Sequence, residues 1–154
     1  MENVNLKYVS GVFLTLFSIV IFISMTSFFF SWTVDQSSVS NLFDDSTVIE
    51  NIGKKFGLTI SYHLVYKGFG LGALFIPILI FIIGISLSFD RGINKILDRS
   101  IFLLLNVFWF SLLASYIFEK KIYSGVTGYL IKLKIVEYIG NLGFISILIF
   151  GFFA

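Results

Sequence analysis

The sequence predicts an all-α membrane protein with four transmembrane helices and an amphipathic extracytoplasmic helix in the first outer loop. A helix needs about 20 apolar residues to cross the hydrocarbon core of a bilayer. Four long stretches, filled mainly with Phe, Ile, Leu and Val, carry no charge: those between Lys7 and Asp35, Lys67 and Asp90, and Arg99 and Glu119, and the one after Glu137. Because these stretches are continuous rather than alternating, helices are favoured over barrel strands.

The composition supports the same fold class. Of the 154 residues, 57% are hydrophobic and only 13% are charged, whereas a soluble domain has about 25% charged residues. The net charge of +2 gives no basic surface of the kind that binds nucleic acid. The chain has no cysteine, which excludes disulfides and thiolate metal sites.

Span one is predicted over residues 8–30, and Trp32 follows it where indole rings favour the headgroup boundary. This run is longer than the apolar core of a signal peptide, about 7–15 residues, so we interpret it as a retained span. Residues 31–67 form the first outer segment. Thr47 and Glu50 fit a capping box, which marks a helix start. Helical spacing then predicts an amphipathic helix over residues 48–66, through Ile49, Ile52, Phe56, Ile60 and Leu64.

The remaining spans follow from the other charge-free runs. Span two is predicted over residues 71–89, after a glycine-rich break, and Pro77 inside it predicts a kink. The charged residues 90–99 form a tight turn, so spans two and three make a helical hairpin. Span three covers residues 100–118, the second outer segment residues 119–137, and span four residues 138–154.

Two patterns leave alternatives open. The last apolar run has no aromatic or basic anchor after it, so we expect an amino-terminal membrane domain of a longer chain; the alternative is a short native tail anchor. Residues 76–81, IPILIF, also echo residues 145–150, ISILIF, after similar glycine-rich stretches. Coincidence explains this echo somewhat better than duplication of a two-span unit.

The sequence predicts no catalytic, cofactor-binding or metal-binding residue. None of the four spans contains an ionisable side chain, the usual sign of a transport or proton pathway, and His63 is the only histidine. Asn106 is the best candidate for an interhelical or inter-subunit hydrogen bond. Helix packing or assembly is the predicted role of five glycines: Gly68, Gly70, Gly72, Gly140 and Gly143. Two functions remain, a membrane anchor and scaffold or a small oligomeric permease or channel subunit, and the first is favoured.

Several segments together resemble the four-span amino-terminal domain of the FtsK/SpoIIIE family of bacterial DNA translocases. The likeness covers most of the chain, and the order and spacing of the segments are more specific than any one of them. The similar segments are residues 29–37 (FFSWTVDQS), 51–57 (NIGKKFG), 66–77 (YKGFGLGALFIP), 124–129 (SGVTGY) and 139–143 (IGNLG).

The resemblance implies a non-enzymatic domain that anchors a DNA translocase in the bacterial inner membrane, localises it at the division septum and contacts other division proteins. It implies a homo-oligomer, hexameric in the full-length protein. The family's ATP-dependent motor is absent from this chain, so ATP and magnesium are expected only there, and this chain is expected to need no cofactor and to contact no nucleic acid.

The resemblance also implies that both termini and the turn at residues 90–99 face the cytoplasm. The positive-inside rule expects most basic residues on the cytoplasmic side. A raw count of basic residues opposes the implied orientation, because seven lysines lie in the two outer segments and four basic residues lie on the other side. The density of basic residues supports the implied orientation, since three of the ten residues 90–99 are basic. Long loops carry less weight than short ones in the positive-inside rule.

Overall fold

The computed structural model describes residues 2–40, 48–89 and 94–153, which form helices and short connections with no strand. The predicted four-span, all-α fold is confirmed. Four helical stretches are long and apolar enough to cross a membrane: Leu6–Val39, Lys54–Ser88, Arg99–Ile117 and Lys121–Phe152. The α-helices are α1 (Glu2–Asp35), α2 (Lys54–Ser61), α3 (Phe75–Ser88), α4 (Asn94–Ile117) and α5 (Lys121–Phe153).

Three shorter helical pieces complete the described chain. A 3-10 turn, Gln36–Val39, extends α1, and a π-helix, Tyr62–Phe69, extends α2. A second 3-10 turn, Gly70–Leu74, leads into α3. Pro77 lies in the first turn of α3, where its missing N–H is tolerated. The chain leaves helical geometry at Gly68 and Gly70, in the glycine break that precedes this turn, whereas the kink predicted at Pro77 stays a prediction.

Helices α1 and α3 form the main antiparallel pair. A Cβ atom at Gly11 would collide with the backbone of Ser88 and Gly84, and one at Gly84 would collide with Thr15 and Gly11. Small residues allow two helix backbones this close approach, as is common between membrane helices. Helix α4 packs against α3 and against α5, so the molecule is organised around two helix pairs joined at α3 and α4.

The first outer segment does not begin with the predicted helix. Residues 48–53 are not helical, and α2 begins at Lys54 with Gly53 at its N-cap and no side-chain cap. The predicted capping residue Thr47 lies outside the described residues, and Glu50 precedes the helix. The predicted start was wrong because side chains of α1 bind the backbone N–H groups of residues 50–52, which a helix start would otherwise have to cap.

Residues 48–69, which we name the first return segment, run back along α1 and then reverse. Residues 50 and 51 contact Asp35, whereas Gly53 and Gly57 meet Ser24. Eleven residues of α1 separate Ser24 from Asp35, about 16 Å at 1.5 Å per residue. The ring of Tyr66 then lies 4.5 Å from that of Trp32, so α2 and the π-helix return toward the end of α1.

The second outer segment is also a return segment, residues 118–139. Helix α5 contains two non-helical glycines, Gly125 (φ 70°, ψ 162°) and Gly140 (φ 72°, ψ 175°). The carbonyl of Ser124 lies beside Ser111, about 9 Å before the end of α4 at 1.5 Å per residue. After Gly140 the chain runs back along α4, where the Leu148 carbonyl accepts a hydrogen bond from Trp109 Nε1.

The two halves of the chain therefore have the same order of elements. Each half contains a long helix, a return segment that contains glycine, a second glycine break and another long helix. Ser24 of α1 meets Gly53 and Gly57, and Ser111 of α4 meets Gly128. This common order adds a structural likeness to the sequence echo between residues 76–81 and 145–150.

The α1–α3 contact predicts the effect of a larger side chain. Replacing Gly84 by Leu should lower the free energy of unfolding by about 1–3 kcal/mol, because the new atoms meet backbone that cannot rotate away. Thermal unfolding in detergent, followed by tryptophan fluorescence, measures this loss. The matched control is Gly143→Leu, whose Cβ would meet mainly the side chain of Ile139. Equal stability of the two variants would contradict the close α1–α3 contact.

Candidate functional site

The first polar feature is a buried carboxylate at the end of α1. Asp35 is fully buried, and its two oxygens accept hydrogen bonds from the backbone N–H groups of Glu50 (2.8 Å) and Asn51 (2.9 Å). A negative charge is unfavourable at a helix C-terminus, and burial costs further free energy. Two charge-assisted hydrogen bonds offset these costs, so Asp35 and the first return segment stabilise each other.

Asn51 continues this arrangement deeper along α1. Its fully buried side chain donates from Nδ2 to the carbonyl of Ser24 (2.9 Å) and accepts at Oδ1 from the backbone of Gly53 (2.9 Å). The Ser27 hydroxyl accepts a further bond from Ile52 N (3.1 Å). We name these contacts the Asp35–Asn51 network, and they fix non-helical backbone that would otherwise lack partners.

The network ends at an unusual backbone conformation. Lys54 has φ 51°, in the left-handed region that side chains other than Gly, Asn and Asp seldom adopt. The first return segment has two arms, the non-helical residues 48–53 and the helical residues 54–69. Lys54 Nζ donates to the carbonyl of Ile49 (3.1 Å) and so bridges the bend between these arms. The same bend carries Gly53 and Gly57, whose surfaces touch Ser24 and Asn51.

Aromatic side chains connect the helical arm of the first return segment, residues 54–69, to α1. The ring centroids of Tyr62 and Tyr66 lie 6.0 and 4.5 Å from that of Trp32 and 5.7 Å from each other. Lys67 Nζ lies 5.1 Å from the Tyr62 ring centroid, within cation–π range. This outer aromatic cluster (Trp32, Tyr62, Tyr66) is half-buried, and His63 and Lys67 beside it are exposed.

The two return segments meet at their glycine breaks. Gly70 and Gly125 have positive φ angles of 57° and 70°, which glycine adopts without steric cost. A Cβ at Gly70 would collide with the Tyr123 carbonyl, and one at Gly125 with the Gly68 carbonyl. Only glycine fits both the backbone conformation and the space at this crossing.

Hydroxyl groups satisfy the carbonyls that the crossing exposes. Ser111 Oγ donates to the carbonyl of Ser124 (2.6 Å), and Thr127 Oγ1 donates to that of Lys67 (3.1 Å). Irregular backbone beside membrane helices requires such internal partners. The crossing therefore joins the two halves of the chain through backbone contacts rather than through side-chain packing alone.

The predicted site residues fall into two groups. Gly68 and Gly70 lie in the crossing, and Gly72 packs on the backbone of Val107 and Ser111 in α4. A Cβ at Gly140 would meet nothing within 4 Å, and the atoms nearest to one at Gly143 belong to Ile139 of the same helix. The described structure thus places three of the five glycines between helices, while any role in assembly stays a prediction.

Asn106 lies in the middle of α4 and is half-exposed. Its Nδ2 donates to the carbonyl of Phe102, one turn earlier in the same helix, at 2.8 Å. No hydrogen bond from Asn106 to another helix is present in the described part of the chain. The predicted inter-subunit contact therefore stays a prediction.

Sequence reasoning assigned no structural role to Asp35, Asn51 or Gly125. Asp35 belongs to a polar stretch that reads as a solvated loop, Asn51 lies within the helix predicted over residues 48–66, and Gly125 belongs to the predicted second outer segment. Trp32, one turn before Asp35, is the one signal that the end of α1 contacts another element. Within residues 2–40, 48–89 and 94–153, no group of three His, Cys, Asp or Glu side chains could hold a metal ion.

The Asp35–Asn51 network predicts that its loss frees the first return segment. In Asp35→Ala the two backbone N–H groups lose their acceptors, at roughly 1–3 kcal/mol for each unsatisfied group. Amide hydrogen exchange at residues 50–57 in detergent or lipid nanodiscs should become at least tenfold faster. Glu50→Gln, at a neighbouring exposed side chain, is the control and should leave exchange unchanged. Unchanged exchange in Asp35→Ala would refute the role of this carboxylate.

A family model described as the 4TM region of DNA translocase FtsK/SpoIIIE matches residues 5–154. No curated protein and no solved structure matches the chain. The match covers all four spans, both return segments and the crossing between them. On this match, the chain belongs to the family of four-transmembrane regions of FtsK/SpoIIIE DNA translocases.

Proposed function

We propose that this chain anchors a DNA translocase in the bacterial inner membrane and localises it at the division septum during chromosome segregation. The observation that carries the proposal is the family match over residues 5–154. In this role the chain is a scaffold and not itself an enzyme. ATP hydrolysis and DNA contact belong to a motor outside this sequence, and the domain uses no cofactor of its own.

The outer end of the molecule is the surface we assign to partner proteins. It carries half-buried aromatic rings and exposed lysines on segments held by the Asp35–Asn51 network and the glycine crossing. Rigid segments lose less conformational entropy on binding than flexible loops do. Other membrane proteins of the division machinery are the proposed partners, and the exposed basic side chains at this end are Lys67, Lys120, Lys121 and Lys134.

The proposed orientation puts both termini in the cytoplasm. Tyr8 near the start of α1 and Phe89 after α3 line one small pocket, and the last turns of α5 lie beside Phe102 in α4. The start of α1, the end of α3 and the end of α5 therefore share one end of the bundle. A motor that follows α5 would be cytoplasmic, where ATP and the chromosome are available.

Localisation of the isolated domain tests the proposed function. A fluorescent fusion of residues 1–154 should concentrate at mid-cell in dividing cells, because the domain would carry its own contacts with division proteins. Reversing two exposed outer charges, in Lys121→Glu with Lys134→Glu, should reduce the mid-cell signal at an equal membrane level. Leu142→Ile, at an exposed apolar position, is the control. Uniform fluorescence, with solute flux through vesicles containing the purified chain, would favour the permease alternative.

Cysteine labelling tests the orientation in a chain that has no cysteine of its own. Cysteines at the exposed positions Ser37 and Lys134 should react with an impermeant maleimide in intact cells. A cysteine at Lys7 should react only after the cells are permeabilised. The reverse pattern would put the return segments in the cytoplasm and agree with the raw count of basic residues.

A further inference from the structure

The bend of the first return segment lies deeper along α1 than the headgroup boundary. A hydrocarbon core that begins after Lys7 extends over about 20 helical residues, or about 30 Å. Trp32 marks the outer limit of this core, because indole rings favour the headgroup boundary. Ser24, which contacts Gly53 at the bend, precedes Trp32 by about 12 Å at 1.5 Å per residue. The bend therefore reaches into the hydrocarbon of the leaflet on the Trp32 side, which we name the outer leaflet.

The apolar side chains at the bend agree with this depth. Ile52 and Phe56 are 68% and 51% exposed. The ring centroid of Phe56 lies 6.2 Å from that of Phe17, and Phe17 lies about 15 Å along the helix from Lys7, at 1.5 Å per residue. Exposure of such large side chains is unfavourable in water and favourable in hydrocarbon. The bend thus presents an apolar surface to lipid chains.

Two exposed lysines, Lys54 and Lys55, occupy the same bend. Lys54 Nζ donates to the carbonyl of Ile49, on the arm that leads from the bend to Asp35. The ammonium group is therefore directed toward the outer boundary, as lysines near that boundary usually are. In the described part of the chain this is the one hydrogen bond of Lys54 Nζ, so two of its three N–H donors are left.

The phosphate group of a phospholipid matches both parts of this surface. Its charged oxygens accept hydrogen bonds from ammonium groups, and its acyl chains extend along apolar side chains at the depth of Ile52 and Phe56. Glu50 is the exposed acidic residue on the neighbouring arm, so the two lysines leave the bend with a net positive charge. A positive surface at the membrane boundary favours anionic over zwitterionic lipid.

We propose that the bend at residues 52–56 enters the outer leaflet and binds an anionic phospholipid. Lys54 and Lys55 hold the headgroup phosphate, and Ile52 and Phe56 contact the acyl chains. This site is separate from the outer surface assigned to division proteins. It depends on the four-span fold but not on septal localisation, so either proposal can fail while the other holds.

Fluorescence quenching in vesicles of the purified chain tests the depth of the bend. A fluorophore on Ile52→Cys should be quenched by lipids brominated on their acyl chains nearly as strongly as one on Val20→Cys, an exposed position within α1 (48%). Iodide in the buffer should quench it about fivefold less than a fluorophore on Ser37→Cys, since hydrocarbon excludes anions. Equal iodide quenching at positions 52 and 37 would overturn the insertion of the bend.

Native mass spectrometry of the purified chain tests the headgroup contact. The wild-type chain should retain phosphatidylglycerol in preference to phosphatidylcholine. Lys54→Gln with Lys55→Gln should weaken retention of phosphatidylglycerol about 5- to 30-fold, since each basic residue at an anionic surface contributes about a fivefold factor. Lys120→Gln with Lys121→Gln removes the same charge at other exposed positions and is the matched control. No preference in the wild-type chain, or an equal loss in the two variants, would refute the headgroup contact.

Two further variants separate charge from folding. Lys54→Arg with Lys55→Arg keeps both charges and should retain the lipid. Lys55→Gln alone leaves the Lys54 bond to Ile49 in place and should weaken retention about fivefold, at an unchanged thermal midpoint. Unchanged retention in Lys55→Gln, or loss in the Arg variant equal to that in the double Gln variant, would contradict the proposal. Inorganic phosphate should not displace the lipid, and displacement would mean a phosphate site that makes no use of the acyl chains.

Discussion

The structure depends on one requirement: backbone that leaves the helix beside a membrane span must find hydrogen-bond partners within the protein. Two segments of this chain leave the helix in this way, and each meets a polar residue of the span it follows. Asp35 accepts two backbone N–H groups of the first return segment. Ser111 donates to a carbonyl of the second. Without these groups each segment would expose unpaired backbone, at a cost of several kcal/mol.

Glycine residues at the crossing are the second feature that accommodates the irregular backbone. At Gly70 and Gly125 the backbone needs both a positive φ angle and room for a neighbouring carbonyl. No other residue provides both, because any Cβ would occupy the space of the other segment. The polar groups therefore hold each segment to its own span, and the glycines hold the two segments to each other. The outer end becomes one connected unit even though its sequence contains few long apolar runs.

Hydropathy and helical spacing explain what could be predicted from the sequence. The four charge-free runs predicted the spans because bilayer thickness fixes their length, and the glycine-rich run after Lys67 predicted a break. Helical spacing predicted a helix over residues 48–66, of which residues 54–66 are helical, but it carries no information about the direction of the chain. Asp35 and Asn51 resemble solvated polar residues until the return path is known. Likewise, the extension of helix back to Lys121 depends on contacts with α4, which hydropathy does not report.

Asn106 differs from the other deep polar groups in what it contacts. Thr15, Ser18 and Ser24 bond to carbonyls within α1, and α3 and the first return segment cover that helix. Asn106 also bonds within its helix, but it lies on a side that α5 covers incompletely. A hydroxyl that donates to its own helix keeps only acceptor capacity, whereas an amide retains a donor and an acceptor. The same back-bonded geometry therefore satisfies a buried serine and leaves a half-exposed asparagine able to bind a second helix.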